Sequence, residues 1–482
     1  MRAVPSIKNN LAINTAYQIL NMIVPFISTP YVSRVLGAEG VGIYSFTNSI
    51  ATYFAMFAAL GTMSYGARGI ARARDDKRKM SQLFWEIEAL VVISTLVCVL
   101  IWGSWTIFAP EYNKFYLILT LVIVNTIADI SWFFTGIEQF KYIVVRNTIV
   151  KITGLVLLFV FIKDVTDLTL YVFIMTSTTL IGSISMWLYL PKMVCKVSWS
   201  SIRLKRHFKE TLIYLLPAVA TSIYTILNKV LLGFMGEDIR ENGYFEQTTK
   251  VISMAQALTF YALNNVMGAR ISYLFRENKI KEIHQRINMS LHYILFMGLG
   301  ITFGLIAVAP RFVPWFFGPD FIEATMLLQL LCPIILIISI SNCLETHYYI
   351  PAGLRKKSAQ YLIVGAVVNL LFNVILIPYY GAIGAAIGSL IAEGAITVLF
   401  LWNCDRFLST GQIIKNGWKK CISASVMLII VHYAVINIYN STIAIFSSVV
   451  IGAITYVLML LTLKDDFIIE AQKAAFKFLA KK

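Results

Sequence analysis

Lysine and arginine recur in every second connector between long apolar stretches, and that rhythm constrains the fold more than any other feature of the chain. The connector 66–82 holds Arg68, Arg72, Arg74, Lys77, Arg78 and Lys79, whereas the next one, near 109–113, holds no Lys or Arg. A soluble core gives no reason for such alternation. A membrane protein does, because basic loops stay on the cytoplasmic side.

Composition agrees. Of 482 residues, 58% are hydrophobic and only 14% charged. A soluble chain of this length carries about a quarter charged residues. The net charge of +16 is dispersed over separated connectors and forms no single basic face. That pattern excludes a nucleic-acid partner and suits anionic lipid at the inner leaflet. The six cysteines show no metal-ligand spacing and none falls in an expected external loop, so disulfides are not expected.

A bilayer-spanning helix needs about 20 mostly apolar residues. Stretches of that kind occur at 11–36, 40–62, 83–108, 114–135, 142–162, 168–190, 211–235, 242–268, 290–316, 321–348, 358–378, 381–403, 417–438 and 441–463. Fourteen crossings put both termini on one side, and the connectors of that side carry 33 of the 41 Lys and Arg. The expected fold class is therefore an all-α polytopic membrane protein with fourteen transmembrane helices and both termini cytoplasmic. The first span contains Asn14, Gln18 and Asn21 and lacks a small-residue cleavage site, so it reads as a retained helix. In the tail, Lys473, Lys477 and Lys481 lie four apart beside Phe467, Ile468, Phe476 and Leu479. On a helix that is a basic stripe next to an apolar one, suited to the inner leaflet; a frayed tail is the alternative.

No enzyme motif is present. The chain has no Gly-rich phosphate cradle followed by Lys-Ser/Thr, no His-Glu-x-x-His, no Cys-x-x-Cys and no Gly-x-Ser-x-Gly. No catalysis, no metal and no cofactor are expected. What remains is ionisable groups inside the spans, each costing at least about 2.5 kcal/mol at a helix centre unless hydrated or paired. The basic ones are Arg34, Lys151, Lys229 and Lys250; the acidic ones are Asp129, Glu246, Glu345 and Glu393. Their formal charges cancel, so no strongly cationic cavity follows. Glu86 and Glu88 read as interfacial. Glu246 and Lys250 stand i,i+4 in the favourable order for self-pairing, Asp129 can pair with Lys151 across neighbouring helices, and Arg34 can snorkel. Lys229 follows Asn228 and has no acidic residue one turn away, which makes it the leading candidate for a charge facing a wet cavity.

Pro25 and Pro30 in the first span and Pro217 in the seventh remove backbone donors and are expected to kink their helices. Gly381, Gly384 and Gly388 form a small-residue face for close helix packing. A weak repeat relates the halves: Pro25…Arg34-Val-Leu-Gly37 and Gly42-Ile-Tyr44 against Pro217…Lys229-Val-Leu-Leu-Gly233 and Gly243-Tyr-Phe245. Six spans separate the copies, so both point the same way, a plan used by transporters with the substrate path between halves. The corresponding division is an N-terminal lobe over 1–200, a C-terminal lobe over 201–405, and two further helices with the tail over 406–482.

The opening Asn14-Thr-Ala-Tyr-Gln18, then Pro30-Tyr-Val-Ser-Arg-Val-Leu-Gly37 and Gly40-Val-Gly-Ile-Tyr-Ser45, resembles bacterial polysaccharide flippases. So does Asn369-Leu-Leu-Phe-Asn373 followed by Ile377-Pro378-Tyr-Tyr-Gly381-Ala-Ile-Gly-Ala-Ala386 and Glu393. The resemblance covers nearly the whole chain and extends to the superfamily of multidrug and oligosaccharidyl-lipid exporters. It implies two six-helix lobes around a central cavity, in the bacterial cytoplasmic membrane. It also implies transfer of undecaprenyl-diphosphate-linked oligosaccharides to the outer leaflet for capsule or O-antigen, by alternating access.

The implied partners are lipid-linked oligosaccharide, membrane lipid, and polymerase and chain-length proteins of the same pathway. Coupling to a proton or sodium gradient stays open. Relatives often carry an acidic residue where this chain has Asn228-Lys229, so coupling through that position is in doubt. Arg34 and Lys229 could hold a diphosphate, with Lys250 added if Glu246 leaves it free. Tyr17, Tyr44, Tyr224 and Tyr261 could stack on sugars or pack between helices. The rival readings are a cation-coupled multidrug exporter, a flippase for lipid II or teichoic-acid-type precursors, a non-transporting scaffold, and a membrane glycosyltransferase or ligase, for which the external connectors are too short to hold catalytic carboxylates.

Overall fold

The computed structural model describes the backbone of residues 7–198, 203–404, 407–435, 438 and 440–479. Side chains are described over the same residues except 7–19, 22, 217, 220, 221, 224, 225, 261, 262, 265, 266, 269, 435 and 474–479. The described residues contain helices and no strand, and the protein is an all-α, multi-pass membrane protein. All fourteen apolar stretches overlap helix. Among the described residues, eight helical stretches are long and apolar enough to cross a bilayer, from Lys77–Phe108 to Ser441–Thr462.

The chain divides into two compact units. The first comprises Met1–Phe234 with Asp238–Gly243, and the second Met235–Glu237 with Tyr244–Lys482. The first unit thus takes in residues 203–234, which the sequence reading placed with the second lobe.

The first unit opens with α1, Ile7–Ala59, 53 residues long. At 1.5 Å per residue a straight helix of that length would reach ~80 Å, far beyond the ~30 Å hydrocarbon layer. The helix breaks at Gly37, where φ is 67°, a value that only glycine adopts without strain. Non-helical dihedrals inside α1 occur at Gly37 alone; Pro25 and Pro30 sit within helical backbone. Besides the expected proline kinks, α1 thus has a glycine break that the proline pattern does not reveal. Pro217 lies in α8, Leu204–Ser222, its side chain outside the described ones. The irregularity there is a π turn at Ile223–Leu227.

The connector 66–82 is largely helical, as α2, Thr62–Ala73, followed by the start of α3, Lys77–Phe108. Thr62, Gly66 and Ile70 are buried at four-residue spacing, one face of a helix. Gly66 lies so close to Trp132 that a Cβ would fall 2.4 Å from the ring. Next come α4 (Asn113–Ala128), α5 (Ser131–Gly136), α6 (Phe140–Phe161) and α7 (Leu168–Ser185). Phe84, Ile87 and Val91 of α3 pack with Ile130, Trp132 and Phe133 at the α4–α5 elbow. Leu100, Ile107 and Phe108 instead stand exposed, as lipid-facing side chains do. The short α9, Asn228–Met235, closes this unit except for residues 238–243.

The second unit holds most of α10 (Ile239–Gln256), then α11 (Ala262–Arg276), α12 (Ile280–Phe317), α13 (Ala324–Leu331), α14 (Pro333–Leu344), α15 (Arg355–Trp402), α16 (Thr410–Val435), α17 (Ser441–Thr462) and α18 (Asp466–Leu479). Like α1, the 48-residue α15 breaks at a glycine, Gly381 with φ 51°. Gly384 then packs on backbone, a Cβ there falling 2.5 Å from the Leu376 carbonyl oxygen. The glycine series thus makes both a break and a close contact. The core of the second unit joins α12, α14, α15, α16 and α17 through Leu291, Leu344, Phe400, Met427 and Tyr456.

The start of the tail docks on this core. Phe467 lies 5.4 Å from Phe296, ring centre to ring centre, and Asp465 accepts a 2.7 Å bond from Lys420 Nζ, with Lys420 at 0% exposure. Asp465 also accepts the backbone N–H groups of Phe467 and Ile468, capping α18. Lys473 is exposed; the side chains of Phe476, Lys477 and Leu479, and all of Lys481, lie outside the described residues.

Candidate functional site

The ionisable groups inside the helices are the candidate site residues, and the structure sorts them by partner. Arg34 is exposed on α1, three residues before the Gly37 break, and Lys229 is half-buried on α9. The backbone around Lys229 is held firmly. Asn242 Nδ2 donates to the Lys229 carbonyl at 2.7 Å, and Ser45 Oγ donates to Asn242 Oδ1 at 3.3 Å. Beside these bonds Gly42 of α1 packs on Ile239 and Gly243 on Ala38, so the two copies of the repeat touch where their glycines correspond.

Asp129 follows the end of α4 and accepts the Ser131 N–H at 3.0 Å. Its ionic partner is Arg146 of α6, 3.6 Å away, which also donates to Ser183 Oγ at 2.9 Å. The anticipated Asp129–Lys151 pair is not formed: Lys151 donates to Asn21 of α1. The reason is helical phase. Residues five apart point about 140° away from each other at 3.6 residues per turn, so Arg146 and Lys151 face different neighbours.

Glu86 and Glu88, read as interfacial, are both buried by neighbouring helices. Glu86 Oε2 bonds His207 Nε2 of α8 at 2.7 Å, and Tyr65 OH of α2 meets His207 Nδ1 at 2.6 Å. Glu86 Oε1 accepts Gln82 Nε2 and the Arg203 N–H, each at 3.1 Å. Three helices and the entry to α8 thereby converge on one carboxylate. Two residues on, about 200° around the helix, Glu88 points elsewhere. It is 3% exposed, and both its oxygens are buried without a hydrogen-bond partner.

In the second unit Lys250 pairs with Glu246 one turn earlier at 3.1 Å, the self-pair its spacing allows. Glu345 stands in a π turn, Glu345–Tyr349, and accepts Ser358 Oγ at 2.9 Å. Glu393 is buried on α15, within electrostatic reach of Glu345. Of the tyrosines proposed to meet sugar, Tyr44 packs edge-on against Tyr171 at 5.1 Å. The side chains of Tyr17, Tyr224 and Tyr261 lie outside the described residues. Among the described residues, no three His, Cys, Asp or Glu side chains converge as metal ligands.

Multi-pass helices with ion pairs among them define a polytopic α-helical membrane protein. The chain belongs to the polysaccharide biosynthesis protein family, whose pattern matches residues 7–275. It is 25% identical over 401 residues to a protein of Escherichia coli (strain K12) described as an O-antigen transporter, covering 82% of this chain and 96% of that one. Among solved structures it is similar to the lipid II flippase MurJ in an inward closed conformation. There the TM-score is 0.73 at 15% identity, over 94% of this chain and 99% of that one. A multidrug resistance MATE family transporter of the MOP superfamily, in its inward-facing conformation, gives a TM-score of 0.57 at 14% identity, over 82% of this chain and 99% of that one. These structural likenesses establish the shared fold.

Proposed function

We propose that this protein is a flippase of the bacterial cytoplasmic membrane. It moves oligosaccharide repeat units linked to undecaprenyl diphosphate from the cytoplasmic to the outer leaflet, for capsule or O-antigen assembly. The observation that carries this reading is the family match over residues 7–275, and the similarity to an O-antigen transporter along most of both chains supports it. Translocation proceeds by alternating access, makes and breaks no covalent bond, and leaves both termini in the cytoplasm. The product is consumed by a polymerase and chain-length proteins, which are proposed partners.

Arg34 and Lys229 occupy matching places in the repeat and are assigned to the diphosphate. Cations are what a group of that charge requires, and a lysine acts as a mobile point charge toward phosphate. Lys250, held by Glu246, contributes less. Lys151 and the carboxylates Asp129, Glu345 and Glu393 are assigned to pairing or to cation coupling.

The test is reconstitution into proteoliposomes with a fluorescent lipid-linked oligosaccharide. Protein-dependent transfer between leaflets is expected, and Lys229→Gln at equal protein level should reduce it at least tenfold. Transfer no faster than in empty liposomes would overturn the reading. Efflux of a cationic dye in place of glycan transfer would favour the multidrug exporter.

A further inference from the structure

Glu88 is the one acidic side chain of α3 for which burial and bonding disagree. Its neighbour Glu86 satisfies both oxygens through His207, Gln82 and Arg203. Both Glu88 oxygens are buried with no donor, and a bare carboxylate so placed costs several kcal/mol.

The surroundings show which way it faces. Phe84, one turn earlier and on the same side of α3, stacks on Trp132 at 5.4 Å and meets Phe133 at 5.2 Å. Glu88 therefore faces the α4–α5 elbow, where Asp129 lies within electrostatic reach. Asp129 is already committed to Arg146 and to the Ser131 N–H. Charged groups on the other packed elements are engaged or turned outward: His207 of α8 bonds Glu86, Lys205, Arg206, Lys209 and Glu210 of α8 are exposed, and Arg68 of α2 bonds Tyr214. Arg72 of α2 is exposed, and the α1 arm beyond Gly37 has only Glu39 at its start. Among the described residues no cation pairs with Glu88, and its carboxylate neighbour Asp129 is the partner of Arg146.

We propose that Glu88, with Asp129 beside it, is a proton-binding site of the first unit. The ligand is a proton because the two oxygens lack accessible surface and Phe84, Trp132 and Phe133 pack together at the elbow. The proton adds to one Glu88 oxygen and removes the buried charge. It leaves when water reaches the elbow. The site thus ties proton occupancy to how tightly α3 closes on α4 and α5. This inference does not depend on the glycan, since its readout needs none.

The test is difference infrared spectroscopy on the purified full-length protein in nanodiscs. At neutral pH the wild type should show the carbonyl stretch of a protonated carboxyl group, shifting in D2O, and Glu88→Gln should lose that band. An unchanged spectrum in Glu88→Gln, a band that never shifts in D2O, or a band abolished by sodium at constant pH overturns the proposal. Should Glu88→Gln fail to fold, Asp129→Asn serves. Removing the neighbouring carboxylate should alter the position or amplitude of the band, and an unaltered band counts against the site.

Discussion

Gly42 and Gly243 meet in a reciprocal backbone contact. A Cβ on Gly42 would stand 2.1 Å from the Ile239 carbonyl oxygen, and one on Gly243 would stand 2.2 Å from that of Ala38. Each carbonyl belongs to the residue four positions before the opposite glycine, so the contact has local two-fold character. The two glycines also correspond in the sequence repeat. Neither obstacle is a side-chain tip that can swing away. Gly42→Ala or Gly243→Ala should each destabilise the protein by about 1–3 kcal/mol, the usual cost of overpacking. The heat-denaturation midpoint in detergent would fall accordingly.

The Glu86–His207 bond makes a second test. His207→Ala strips a buried carboxylate oxygen of its partner, which costs about 1–3 kcal/mol and more for a charged group. Because Glu86 also holds the Arg203 N–H, the entry to α8 should loosen. Limited trypsin digestion at Arg203 and Lys205 should be faster in the variant than in the wild type.

Lys420 and Asp465 predict a non-additive pair. Lys420→Met alone leaves Asp465 buried at 4% exposure without its cation, a loss of about 3–5 kcal/mol. Adding Asp465→Asn, which keeps a capping side chain for α18, should recover most of it. A double-mutant cycle on denaturation midpoints reads the coupling.

Asp76 predicts an acid-side effect outside the membrane. It caps α3 by accepting the Arg78 and Lys79 N–H groups at 3.0 and 3.1 Å. The Lys79 backbone donor, the largest influence, together with the Lys79 side chain and the Arg78 backbone, holds its carboxyl below the ordinary value against the opposing effect of desolvation. A carboxyl depressed on folding binds fewer protons folded than unfolded. Its contribution is therefore present above the unfolded value and lost as pH falls through the folded one. The acid limb of a stability–pH profile should be shallower in Asp76→Asn, which caps without titrating.

The spans were legible because apolar length and basic-connector rhythm are properties of the chain alone. Partners were less so. Spacing identified the Glu246–Lys250 pair, since both lie on one helix. It could not choose between Arg146 and Lys151 for Asp129, because that choice depends on which face of α6 meets α4. Glu86 and Glu88 looked interfacial from their distance to the basic connector; α4, α5 and α8 packing over that end of α3 buries them. The helix at Thr62–Ala73 was hidden by its arginines, although Thr62, Gly66 and Ile70 at four-residue steps carried its signal. The breaks at Gly37 and Gly381 were masked by nearby prolines, which a helix tolerates when neighbouring groups satisfy the freed carbonyls.

A single glycine, with no loop, joins the two arms of α1, and another joins those of α15. Such an elbow transmits phase. One inserted residue would turn the following arm by about 100°, moving packed side chains toward lipid along its whole length. Insertions and epitope tags should thus be excluded from both elbows and tolerated instead at a connector such as 74–75, ahead of the Asp76 cap, where no helical phase is carried across.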